Sequence, residues 1–268
     1  MKMHTARQTW MIVLGWMIMP GLCLFVGYFL GRLLGTLAPA EKLCSDCQWS
    51  NLLAESASVR KIYFGGLLGM LTGCLLGLFT AGILTAQAIK QFFPLSNKQI
   101  GVVAAGWLWS FIIGSIATFV LSFLVAIPVS QIIDSPYDLL GTIFILILIS
   151  FPIGAISGGF LMGIVGSFIT NKVLRKIEPG LDIKTFKAIN LRWGLGFLVG
   201  GLLGGIFIGF GIGYLLTIYS FSKVTMIGAI ASAIGFAILG LCGSLIGGRF
   251  MLKRLSEYAK ARDTIRTG

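Results

Sequence analysis

Few residues in this chain combine a reactive side chain with the spacing that catalysis or metal binding requires. The clearest pair is Cys44 and Cys47, a CxxC motif followed by Trp49 in the longest hydrophilic loop. Such a pair forms a disulfide in an oxidising compartment, and at a helix N-terminus it can exchange disulfides. A zinc site would need two further Cys or His ligands, which no other loop supplies. Three interpretations stay open: a structural disulfide, two free thiols, or thiol–disulfide exchange.

Arg32 is the one charged residue inside a long apolar run. Near the end of a membrane helix, an arginine can extend its guanidinium group to the headgroup layer. The alternative is that Arg32 contacts an anion or a lipid phosphate, with Asp134 or Asp138 as its carboxylate partner. Both interpretations place the guanidinium group at the membrane surface.

Histidine and the carboxylates are absent from the apolar runs. The sole histidine is His4, before the first run, and all nine Asp and Glu residues lie in loops or the C-terminal tail. Haem ligation, zinc hydrolysis and Ser-His catalysis need histidine, and proton coupling usually needs an ionisable group within the membrane. The sequence therefore predicts a protein that is not an enzyme and holds no metal or cofactor.

The composition is that of a membrane protein. Hydrophobic residues make up 56% of the 268 positions, charged residues only 11%, and the mean hydropathy is +0.94. About 20 helical residues cross a bilayer, and continuously apolar runs of this length favour helices over barrel strands. We expect one membrane domain, residues 1–250, and a basic tail, residues 251–268. The six predicted spans are approximately 11–37, 63–89, 102–130, 139–170, 193–219 and 225–248.

The net charge of +12 is distributed by side rather than by patch. Sixteen Lys and Arg residues lie at the N-terminus, in the loops after the second and fourth spans and in the tail, whereas the other loops hold four. By the positive-inside rule, both termini are predicted to be cytoplasmic. Trp10 and Trp193 fall at the predicted inner boundaries, where amphipathic rings favour the headgroup layer. The charge therefore indicates a lipid bilayer as partner and not a nucleic acid.

Glycines recur at four-residue spacing within the spans. This spacing keeps them on one helix face, and small residues let membrane helices pack closely. The fifth span has two such faces and should be central, whereas the bulky third span should face lipid. We expect an all-α bundle of six helices with glycine-zipper packing. The glycines assigned to helix packing are Gly65, Gly69, Gly73 and Gly77 in the second span, and Gly196, Gly200, Gly204, Gly201, Gly205, Gly209 and Gly213 in the fifth.

Three further features of the sequence modify this architecture. The fourth span is much longer than the minimum, so Pro152 is expected to kink it, or the helix extends into the headgroups. In the 171–192 loop, Pro179-Gly180 predicts a turn, and the following LDIKTFKAINL predicts a short helix on the membrane surface. For the basic tail two interpretations stay open: it continues the sixth helix and rests on anionic lipid, or it is a positive-inside topology signal that binds nothing in particular.

Three functions are compatible with these observations. The leading hypothesis is a non-enzymatic accessory or assembly subunit of a membrane complex, which acts by helix packing with other subunits or with itself. The alternative is a permease or channel component for a small or weakly charged solute. A weaker alternative is thiol–disulfide exchange at Cys44 and Cys47 on the outer face.

Overall fold

Every regular element in the described residues is an α-helix, apart from one short π-helical segment. The computed structural model describes residues 2–37, 57–132, 139–217 and 223–267. Six helices in these ranges are long and apolar enough to cross a membrane. The prediction of an all-helical chain with six membrane-spanning helices is therefore confirmed.

Each of the long helices includes one apolar run of the sequence together with the residues that flank it. The helices are α1 (Lys2–Leu37), α2 (Ala57–Lys90), α3 (Asn97–Ile132), α4 (Leu139–Ile177), α5 (Ile183–Thr217), α6 (Lys223–Gly243) and α7 (Arg249–Thr267), with the π-helical segment Ser244–Gly248 between the last two.

The six spans form a ring in chain order. Each packs against the next, and α6 closes the ring by packing against α1. Because α7 also contacts α1, both described chain ends lie at one end of the bundle, which we call the termini end. Of the most apolar stretch of each span, α5 is the most buried at 56% and α3 the least at 11%. This agrees with the expectation that the fifth span is central and the third faces outward.

The turn between α2 and α3 is closed by a reciprocal cap. The Ser96 amide donates to the Gln99 side chain at 2.8 Å, and the Gln99 amide donates to the Ser96 hydroxyl at 3.3 Å. This is a capping box, which satisfies two of the amide groups that a helix start leaves without partners. The cap fixes where α3 begins.

The short surface helix predicted after Pro179-Gly180 is not separate. The turn is present, but α5 begins at Ile183 and continues without a break into the fifth span. Asp182 caps this start, because its carboxylate accepts the Lys184 amide at 3.2 Å. No residue after it interrupts the helix, and Phe186 and Ile189 are buried against other parts of the chain, whereas Ile183 and Leu191 are about half exposed.

The long fourth span and the tail are both helical extensions. Pro152 lies inside α4, which is continuous for 39 residues, so the excess length of this span extends it to Ile177. At the other end of the chain, the π-helical segment carries α6 into α7. The apolar face of α7, which includes Met251, Leu252 and Leu255, is fully buried. The tail is thus a docked helix and not a free one.

Candidate functional site

A central cavity of about 450 Å³ lies inside the ring of spans. Volumes of this size are typical of small-molecule sites. All six spans contribute to its wall. Representative lining residues, one from each span in order, are Leu24, Met70, Phe111, Phe151, Gly201 and Phe236.

The cavity wall is apolar and carries no charged side chain. Its few polar groups are small. Thr118 donates its hydroxyl to the Gly114 carbonyl at 2.9 Å, so little of its hydrogen-bonding capacity remains. Ser232 is only 3% exposed, so its hydroxyl adds little polar surface to the wall. Such a wall suits an uncharged guest that is mostly hydrocarbon, because a charged guest would lose its hydration without gaining a partner.

The cavity opens between α2 and α3. Toward the termini end these helices touch, since a Cβ added to Gly82 would stand 2.8 Å from the Ala104 Cα. Further along, the lining residues Leu71 of α2 and Phe119 of α3 are 56% and 73% exposed. The two helices therefore diverge and leave a lateral opening, which would face the hydrocarbon of a bilayer.

An aromatic cluster lies between the cavity and the termini end. Trp16, Trp107, Trp193 and Phe197 are all buried, and each ring centroid lies within 6.0 Å of the three others. The Trp16 indole donates to the Thr85 hydroxyl at 2.9 Å, which joins α1 to α2. Rings packed this closely block passage along the bundle axis at this level.

The π-helical segment packs against this cluster. Gly247 and Gly248 lie beside the Trp193 ring, where an added Cβ on Gly247 would be 2.5 Å from the ring. Ser244 is buried and donates its hydroxyl to the Gly240 carbonyl at 2.7 Å, one turn earlier in the same helix. The bulge and its two glycines together leave room for a large indole between α5 and α6.

Trp193 was expected to meet the headgroup layer at the inner boundary of the fifth span, but protein covers its side chain instead. Its side chain is fully buried within the aromatic cluster. Aromatic rings from α1, α3 and α5 cover it, so it faces other parts of the chain and not the headgroup layer. Sequence reasoning missed the aromatic cluster because its four members come from three separate helices. Trp10, in contrast, is 59% exposed, as an interfacial residue would be.

Polar contacts at the termini end join α4, α5 and α7. Arg262 donates to the Glu178 carboxylate at 2.8 Å, and the Tyr258 hydroxyl donates to the same group at 3.2 Å. Burial raises the pKa of Tyr258, and the hydrogen bond to Glu178 raises it further. Asn171 of α4 donates to the Asn190 side chain at 2.6 Å. These contacts hold the helical extensions together outside the apolar spans.

The predicted site residues fall in several places. Arg32 donates to the Tyr28 hydroxyl at 3.0 Å, while Asp134 and Asp138, its suggested partners, lie outside the described residues. Cys44 and Cys47 also lie outside them. Gly201 and Gly205 line the cavity, whereas Gly213 lies beyond the part of α5 whose side-chain surroundings are described.

The other predicted glycines lie at helix contacts. An added Cβ on Gly65 or Gly69 would meet the backbone of α1, and one on Gly73 or Gly77 would do the same. On α5, Gly196, Gly200 and Gly204 face the backbone of α6, whereas Gly201 faces that of α4. A Cβ added to Gly209 would lie 3.2 Å from the Cβ of Phe151 in α4.

The described residues contain no group of three His, Cys, Asp or Glu side chains that could hold a metal ion. Comparison of the chain with known protein families, curated proteins and solved structures gives no match. The cavity, its lateral opening and the aromatic cluster are the features of the described residues that bear on function.

Proposed function

We propose that this chain is a multi-pass membrane protein that binds an uncharged, mostly apolar molecule in its central cavity. It would act as the binding component of a permease or channel, without enzymatic activity. The observation that carries this proposal is the cavity of about 450 Å³, lined by all six spans and free of charged side chains. A solute with a formal charge fits this wall poorly, so the proposal narrows the solute class to uncharged molecules.

The opening between α2 and α3 indicates how such a molecule would enter. It lies beside exposed apolar residues such as Phe119, which a bilayer would cover with lipid chains. An apolar molecule dissolved in the bilayer could pass sideways into the cavity without crossing water. Lipid chains and isoprenoid-like molecules have this chemistry, and the aromatic cluster would stop them at the termini end.

A cavity-filling variant tests the proposal. Ser115 of α3 lines the cavity, whereas its neighbour Ile116 is 60% exposed and does not. We expect the protein, purified from native membranes in mild detergent, to carry a stoichiometric apolar molecule that mass spectrometry of an organic extract detects. Ser115→Phe should reduce this retention about tenfold, because it fills the space where the molecule binds. Ile116→Phe should leave it unchanged.

Two outcomes would contradict the proposal. One is a wild-type protein that carries no stoichiometric small molecule and takes up none when hydrophobic dyes are added. The other is equal retention by Ser115→Phe and Ile116→Phe, which would place the molecule on the outer surface and not in the cavity.

The second candidate function is an accessory or assembly subunit of a membrane complex. The observation that favours it is the outer face of α3, where Trp109 and Phe123 are each more than 60% exposed. In a membrane such a face contacts lipid or another subunit. The same mild-detergent preparation distinguishes these cases, because a complex would bring stoichiometric partner proteins with it and a lone chain would not.

We also propose that glycine pairs hold neighbouring spans together and that both termini are cytoplasmic. Support for the first comes from α1 and α2, where an added Cβ on Gly31 would meet the carbonyl oxygen of Gly65, and one on Gly69 would meet that of Gly27. The proposal that both termini are cytoplasmic is supported by the Lys and Arg residues, which concentrate at the termini end.

A further inference from the structure

The boundary between apolar span and water is marked by arginines on two helices of the termini end. Arg192 of α5 is the last charged residue before the uncharged stretch 193–222. Arg249, the first residue of α7, is the first charged residue after the uncharged stretch 224–248. Because α5 packs against α6 and the π-helical segment, the two boundaries lie side by side. This is the depth at which lipid phosphates lie.

Phe250 brings two guanidinium groups together at this boundary. The Arg192 guanidinium lies 5.4 Å from the centroid of the Phe250 ring, and the Arg254 guanidinium lies 5.3 Å from it. The ring itself is half-buried and packs against the hydrophobic core. It therefore serves as a fixed platform, on which cation–π attraction holds arginines from α5 and from α7.

The nearby carboxylates do not neutralise this pair. Arg254 contacts Glu257 at 3.3 Å, but both side chains are about half exposed, so water screens the contact. Arg192 makes no ion pair among the described residues. The carboxylate of Glu178 is occupied by Arg262, at 2.8 Å.

The other described carboxylates are likewise engaged elsewhere. Asp182 accepts a backbone amide at the start of α5, and Asp263 lies 3.7 Å from Arg262. Lys253 and Arg249 are exposed on the same part of α7 and add positive charge. Two arginines held on one ring with this surplus of cations form a surface that favours an anion.

We propose that Arg192, Phe250 and Arg254 form a binding site for the phosphate group of an anionic membrane lipid. The guanidinium groups would donate hydrogen bonds to the phosphate oxygens, and the lipid chains would lie along the apolar surface of α5 and α6. The position of the site argues for a lipid over a free phosphate ion, because the arginines lie where the apolar spans end and where a headgroup is already present. Arginine suits this role better than lysine, since its planar fork can donate two hydrogen bonds to one phosphate.

Native mass spectrometry of the full chain tests this site. The protein is purified in detergent and mixed with phosphatidylglycerol or with phosphatidylcholine, and bound lipid is counted on the intact protein. The site variant is Arg192→Gln with Arg254→Gln. The control variant is Lys98→Gln with Lys260→Gln, which removes the same charge from exposed positions outside the site.

We expect the wild-type chain and the control variant to retain phosphatidylglycerol in preference to phosphatidylcholine. The site variant should bind phosphatidylglycerol about tenfold more weakly and lose this preference. Millimolar inorganic phosphate should not displace the lipid, because it lacks the chains.

Three results would overturn the proposal. Equal loss in the site and control variants would show that bulk charge, not this site, attracts the lipid. Equal binding of the two lipids by the wild-type chain would show that the chain has no site selective for an anionic lipid. Displacement of the lipid by inorganic phosphate would identify the ligand as a free anion. Thermal melts of the site variant, the control variant and the single variant Phe250→Leu distinguish loss of lipid binding from loss of folding.

Discussion

Glycine has opposite structural roles at two positions of this bundle. Gly69 of α2 lies so close to Gly27 of α1 that an added Cβ would overlap the Gly27 carbonyl oxygen. Gly101, in the first turns of α3, has no atom within 4 Å of the place where its Cβ would be. At the first position a side chain would push two helices apart, whereas at the second it would meet open space. We therefore propose that packing requires glycine at the first position and leaves the second position free to change.

We therefore expect Gly69→Ala to destabilise the protein by about 1–3 kcal/mol, because overpacking forces the two backbones to separate. Gly101→Ala should leave the stability unchanged or raise it by up to about 1 kcal/mol, since alanine favours the helix. Thermal unfolding in detergent, followed by circular dichroism, measures both. Equal melting temperatures for the two variants would show that close approach at Gly69 is not needed for stability.

At the scale of elements, α7 is held by both apolar and polar contacts. Leu252 and Leu255 are fully buried, and Glu178, at the end of α4, accepts hydrogen bonds from Tyr258 and Arg262 of α7. The Arg262 guanidinium also lies 5.7 Å from the centroid of the Phe93 ring, in the turn between α2 and α3. A charged pair that is about three-quarters buried costs more to break by removing one partner than an exposed one. The docking of α7 thus depends on Glu178.

Glu178→Gln should loosen α7, because it removes the charge that pairs with Arg262 and leaves that guanidinium group without a carboxylate from α4. Hydrogen–deuterium exchange should then be faster in the second half of α7 by about threefold or more, a change on the order of 1 kcal/mol. The matched control is Glu257→Gln, which removes a carboxylate from an exposed contact within α7. Unchanged exchange in Glu178→Gln would mean that the apolar face alone docks this helix.

At the scale of the whole molecule, the junction between α2 and α3 is the least extensive in the ring. Five junctions close the bundle around the cavity, while α2 and α3 touch near Gly82 and diverge beyond it. The aromatic cluster closes the cavity toward the termini end, and the exposed lining residues Leu71 and Phe119 indicate an opening to the side. The apolar molecule that we propose for this cavity would exchange with the bilayer and not with the water at the termini end. The orientation of the ring in the membrane decides which leaflet the opening faces.

The positive-inside rule predicts that orientation. A fluorescent protein that folds only in the cytoplasm, fused after Gly268 of the full chain, should fluoresce in a bacterial host. Alkaline phosphatase, which is active only outside the cytoplasm, should be inactive at the same position. The reverse pair of results would invert the orientation and place the basic helix α7 on the outer face.

The local pattern of the sequence was sufficient to predict the helices but not the cavity or the aromatic cluster. Continuous apolar runs predicted the spans, because the cost of exposing backbone polar groups to lipid permits little besides a helix. The same local pattern led to errors at Trp193 and at the 183–191 stretch. The pattern there suggested a membrane boundary and a surface helix, whereas α5 continues without a break and other parts of the chain cover Phe186, Ile189 and Trp193. Burial by distant parts of the chain cannot be deduced from neighbours in sequence.

The sequence by itself determined that the chain is apolar enough for six spans, that an even number of spans returns both ends to one side, and that glycines recur on helix faces. Only the tertiary structure decided that the spans close into a ring, that a cavity remains inside it, and that Trp16, Trp107 and Trp193 meet below it. The physical reason is that hydrophobicity in a membrane specifies which segments enter the bilayer but not which faces meet. The choice of faces depends on the fit of side chains from separate helices, which exists only once the bundle has formed.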